Sequence, residues 1–66
     1  MISFRRYSVF VKDGVNLDSI VVELETHEHT EVISVNRLLD YLIVETDDPD
    51  SLKVSGVIDV VEDKPL

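Results

Sequence analysis

The chain has 66 residues, 44% of them hydrophobic, no cysteine and a formal net charge of −8. That length supports one domain, residues 1–66, held together by ordinary apolar packing, because neither a disulfide nor a thiolate metal site is open to it. Its 14 acidic against 6 basic residues set it against phosphate backbones, so nucleic acid is excluded as a first partner class. The pair Arg5-Arg6 reads as a solvated strand edge. Apolar runs such as Val9-Phe10-Val11, Ile20-Val21-Val22 and Leu42-Ile43-Val44 are only three residues long, far short of a membrane span. Met1 to Arg6 lacks the apolar core of a signal peptide, and the expectation is a cytoplasmic protein.

Tyr7 to Lys12 is β-branched and aromatic and ends at the turn signal Asp13-Gly14, which predicts a first strand. Alternation puts Tyr7, Val9 and Val11 on one face and Ser8, Phe10 and Lys12 on the other. Asn16 is an N-cap for a helix reaching about Thr26, with Leu17, Ile20, Val21 and Leu24 as one apolar stripe and Asp18 in the first turn. The competing reading is a strand over Ile20-Val21-Val22, with Asp13-Gly14 closing a hairpin. The cap and the stripe favour the helix.

Thr26 to Thr30 is a polar connection. Glu31 to Asn36 is a second strand with Ile33 and Val35 on one face, and Asn36 to Asp40 is a turn. Tyr41 to Glu45 is a third strand, with Leu42 and Val44 on one side and Tyr41 and Ile43 on the other. Asp48 as N-cap and Pro49 at the first helical position predict a second helix of about two turns, stopped by Gly56. Val57 to Glu62 is the last strand. The order β-α-β-β-α-β predicts an α+β fold, a ferredoxin-like sandwich with a four-stranded antiparallel sheet and both helices on one face.

Few residues offer chemistry. His27 and His29 are the only imidazoles, and without a third ligand they read as an exposed loop; no metal or cofactor is expected. Asp47, Asp48 and Asp50 have the wrong spacing for a calcium loop and are explained by helix capping. No nucleophile motif surrounds a serine, and Gly14 and Gly56 are the only glycines, so there is no phosphate-cradling loop. The chain is expected not to be an enzyme. The outer sheet face carries more signal: strands one and three should lie together at its centre and expose Phe10, Tyr41 and Ile43 as an apolar patch rimmed by Lys12 and Glu45. Such patches mark interaction sites.

Three stretches carry a resemblance. They are Tyr7-Ser8-Val9-Phe10-Val11-Lys12, the run from Asn36 through Arg37-Leu38-Leu39-Asp40 to Tyr41-Leu42-Ile43-Val44, and the closing run Gly56-Val57-Ile58-Asp59-Val60-Val61-Glu62-Asp63. From Tyr7 to Asp63 the chain resembles the subtilisin propeptide-like inhibitor family, with Tyr41 matching an aromatic at the start of the third strand and Asp40 standing where glycine is usual. The resemblance implies a protease inhibitor or intramolecular chaperone that lays its open sheet face on a subtilisin-type serine protease. It also implies that Glu62 and Asp63 face helix N-termini of the enzyme, and that the tail Lys64-Pro65-Leu66 runs along the substrate cleft. A three-residue tail reaches at most about 10 Å, so it fills few subsites. The other readings are a viral or bacterial assembly or accessory protein, acting as a homo-oligomer or docked on a partner, and a metal-binding regulatory domain resting on His27 and His29.

Overall fold

A computed structural model describes residues 4–63. Its elements run β1 (Arg5–Val11), α1 (Leu17–Glu25), β2 (Thr30–Asn36), β3 (Tyr41–Thr46), a 3-10 turn (Pro49–Leu52) and β4 (Val57–Glu62). The four strands form one sheet in the order β2-β3-β1-β4, every neighbouring pair antiparallel. The result is a small α+β domain in which β1 and β3 are central, as expected from the sequence. No helix among the described residues is long and apolar enough to cross a membrane.

Local chemistry explains each joint. Between β1 and α1, the Val15 amide donates to the Lys12 carbonyl at 3.2 Å. Gly14 takes φ 88° at the third position of that turn, a conformation that disfavours any side chain. Asn16 then caps α1, its side chain accepting from the Asp18 amide at 2.9 Å. The stripe Leu17, Ile20 and Leu24 is buried and Val21 packs beside it, so the helix prevails over the strand reading because only helical spacing brings these four to one side. At the β2–β3 turn, Asn36 Oδ1 accepts from the amides of Leu38 (3.1 Å) and Leu39 (2.9 Å). Asp40 adopts φ 56°, the left-handed conformation that glycine takes without strain and that Asp tolerates.

The expected second helix is corrected. After Pro49–Leu52 the Val54 amide turns back to the Leu52 carbonyl at 2.9 Å, with Lys53 at φ −85°, ψ 66°, a tight inverse γ-turn. A β-turn through Gly56 (φ 96°) follows, in which the Val57 amide donates to the Val54 carbonyl at 3.1 Å. This route packs Val54 on the core beside the fully buried Leu52. Asp48 makes no side-chain cap; its amide instead donates to Thr46 Oγ1 at 3.1 Å. Thr46 is fully buried and its hydroxyl also meets that of Thr30 at 3.0 Å.

The core lies between the sheet and α1. Tyr7, Val9 and Val11 of β1 and Leu42 and Val44 of β3 meet Leu17, Ile20 and Leu24 of α1, with Leu52 closing one end. Each edge strand is interrupted by a bulge. In β4, Phe10 faces Asp59 but Val11 faces Val57, which leaves Ile58 as the extra residue. In β2, Val32 faces Val44 and Ser34 faces Ile43, which leaves Ile33 as the extra residue. The expected alignment of Ile33 with Val35 is therefore corrected: Val32 and Val35 pack on the core, and Ile33 is 40% exposed. The smallest extent of the Cα trace is 17 Å, the thickness of two layers, so no element among the described residues covers the sheet face away from α1.

Candidate functional site

The strand register orders the open face into rows. One row crosses the sheet as Asn36, Tyr41, Phe10 and Asp59, the next as Ser34, Ile43, Ser8 and Val61, and a third as Glu31, Glu45 and Arg6. The Asp63 amide donates to the Arg6 carbonyl at 2.9 Å, extending the third row to the β4 side. Phe10, Tyr41 and Ile43 thus come together on the two central strands, each half-buried by its neighbours. The Phe10 and Tyr41 rings lie 5.7 Å apart at a 37° tilt, within the range in which aromatic pairs attract.

Val61, opposite Ser8, extends the apolar strip to β4 and is 47% exposed. Ile58 and Ile33, the extra residues of the two edge-strand bulges, are also exposed, Ile58 the more so. The third row is charged. Arg6 Nε reaches Glu45 Oε2 at 3.4 Å, a solvent-exposed pair of small energetic weight.

The other candidate residues are placed differently. Glu62 pairs with Tyr7 in the ladder and so points to the helix side, away from Phe10 and Tyr41. It is held by Arg5 Nη1 at 3.2 Å. Asp63 is exposed next to Arg6. Glu62 ends β4 and Asp63 follows it. Both help line an open depression of about 580 Å³ with Phe4, Arg5, Arg6 and Glu45. Lys64, Pro65 and Leu66 lie outside the described residues. His27 and His29 are both exposed in the α1–β2 connection, where His29 has φ 66° and meets Phe4 edge-on with ring centroids 5.9 Å apart. Among the described residues no three His, Cys, Asp or Glu side chains gather as a metal-holding group, and no buried side-chain nitrogen or oxygen lacks a hydrogen-bond partner.

Sequence reasoning missed Val61, Ile58 and the tip of the β2–β3 turn. The exposure of Ile58 follows from the β4 bulge, which has no signature in Val57-Ile58-Asp59. The tip did carry a signal: Leu38 is 90% and Leu39 65% exposed, and two leucines within a turn of Asn, Arg and Asp depart from ordinary turn composition. Comparison with family models, with curated proteins and with solved structures found no match.

Proposed function

We propose that this chain is a non-catalytic binding module that docks on a partner protein through the open face of its sheet. One observation carries the reading: Phe10, Tyr41, Ile43 and Val61 gather on a sheet face that no other part of the described chain covers. Fully burying a large apolar side chain contributes about 1.5–3 kcal/mol. These four are partly buried already, so the strip supplies roughly 4–6 kcal/mol in total. Association itself costs on the order of 4–15 kcal/mol, so the strip alone gives weak binding and its surroundings decide affinity.

We read the fold as a ferredoxin-like sandwich whose second helix is reduced to one 3-10 turn. On that reading the resemblance to the subtilisin propeptide-like inhibitors names the partner to test first, a subtilisin-type serine protease. The open face and Asp63 would meet the enzyme, with Lys64, Pro65 and Leu66 following toward the cleft. Glu62, paired with Arg5, would have to exchange that pair for any contact with an enzyme helix. The test is inhibition of a subtilisin by the full chain at micromolar concentration. The expected result is inhibition that disappears when residues 64–66 are removed, and no inhibition of any subtilisin-type protease removes this partner.

A second reading is self-association through the same face, favoured by the exposure of Val61 and Ile58 toward the β4 edge. Sedimentation equilibrium discriminates: a stable dimer supports self-association and a monomer across the concentration range rejects it.

A further inference from the structure

Resting on the reading that the open face is the docking surface, we propose that its occupant is a basic amphipathic α-helix of a partner protein, seated across the strands over Phe10, Tyr41, Ile43 and Val61. The dimensions of the strip support this occupant. Tyr41 and Phe10 lie side by side in one row, Ile43 and Val61 lie in the next with Ser8 between them, and the third row, Glu31, Glu45 and Arg6, is charged. Rows two residues apart are separated by about 7 Å, so the apolar strip is little wider than one helix of about 10 Å diameter. These side chains come from three adjacent strands, β3, β1 and β4, which at about 4.8 Å apart give the strip a length of about two helical turns. A second sheet would need the whole face to be apolar and would bury the charged row against its own side chains, which is costly.

Charge selects the sign of the helix. Glu31, Glu45, Asp59 and Asp63 border the strip, against Arg6 and Lys12, in a chain whose net charge is −8. Arg6 is already engaged by Glu45. Lysines or arginines flanking an apolar helix stripe would meet this acidic border, and a negatively charged helix would be repelled.

The same logic rejects a helix from a second copy, because α1 carries Asp18, Glu23 and Glu25 on its exposed side. Strand addition at an edge is disfavoured by the bulges at Ile33 and Ile58, which interrupt both outer ladders.

The experiment titrates the isotope-labelled full chain with three synthetic peptides of about 14 residues. One is a leucine/lysine amphipathic helix, one its leucine/glutamate counterpart, and one the lysine peptide with serine in place of leucine. The lysine/leucine peptide is expected to shift the amide signals of Phe10, Tyr41, Ile43 and Val61 and to gain helicity. Its Kd should rise at least about threefold between about 50 and 300 mM salt. Ile43→Ser should weaken it about tenfold or more, and Val61→Ser should do likewise if the first variant loses its native amide dispersion. Val22→Ser on the exposed side of α1 should change nothing.

Equal binding of the glutamate or serine peptide overturns the proposal, as do shifts confined to α1. If the lysine peptide does not bind while a subtilisin or self-association shifts the same open-face signals, the helix occupant is wrong and the docking reading stands. If none of these perturbs the face, the docking reading itself fails.

Discussion

The two faces of the sheet are built from the same strands and alternate residue by residue, yet they differ in what completes them. On the helix side, Val9, Leu24, Leu42, Val44 and Leu52 have no exposed surface. On the open side, Phe10, Tyr41 and Ile43 are only half-buried, and no described element lies over them. The inner face therefore holds most of the folding free energy, and the outer face holds apolar surface not yet removed from water. A domain of this size has a total stability of roughly 3–10 kcal/mol, so its inner face has little to spare. That difference is the physical ground for reading one face as structure and the other as recognition.

Substitutions can break or sharpen the contrast. The largest effect is expected on the inner face. Leu24→Ala removes a fully buried side chain from the helix–sheet contact and should cost about 2–5 kcal/mol, enough to leave much of the chain unfolded in a urea titration.

Thr46→Val comes next. It keeps the volume but removes the acceptor for the Asp48 amide and the partner of the Thr30 hydroxyl, and should cost about 1–3 kcal/mol. A neutral result would mean that apolar fill and not hydrogen bonding matters at that site.

Asn16→Ala, which removes the α1 cap, should cost about 1 kcal/mol, read as a lower thermal midpoint.

On the open face, Ile43→Ser should cost about 1 kcal/mol or less in stability, while the apolar strip loses its centre. A loss as large as that of Leu24→Ala would show that the two faces are not functionally distinct.

The smallest effect has the opposite sign. Asp40→Gly relieves the left-handed backbone at φ 56° at the expense of greater freedom in the unfolded chain. The net expectation is a gain of about 0.5 kcal/mol in urea unfolding.

Much was legible because it rests on local rules. Period-two alternation in Tyr7-Ser8-Val9-Phe10-Val11 and in Tyr41-Leu42-Ile43-Val44 is enough to assign each residue to a face, and the burial pattern of β1 and β3 agrees. The Asn16 cap and the stripe Leu17, Ile20, Val21 and Leu24 located α1. The second helix was misread because Asp48-Pro49 is a helix start, whereas its continuation is decided by where Val54 must go to reach the core. Helix and 3-10 turn share the same first residues, so no start signal distinguishes them.

The site divides the same way. Phe10, Tyr41 and Ile43 followed from alternation and the expected adjacency of strands one and three. The extension to Val61, the exposure of Ile33 and Ile58, and the pairing of Glu62 with Tyr7 required the register.

By itself, then, the sequence determined the four strands, α1 with its Asn16 cap, the face on which each β1 and β3 residue lies, and an acidic chain without disulfides. Only the tertiary structure decided where the two edge strands slip by a residue, how the chain passes from Leu52 to Val57, and which charges border the apolar strip. The physical reason is that periodicity, capping and turn chemistry act over a few residues. Register, bulges and the neighbours of a charge are set by pairings between segments far apart in the chain, as when Arg5 meets Glu62 across the sheet.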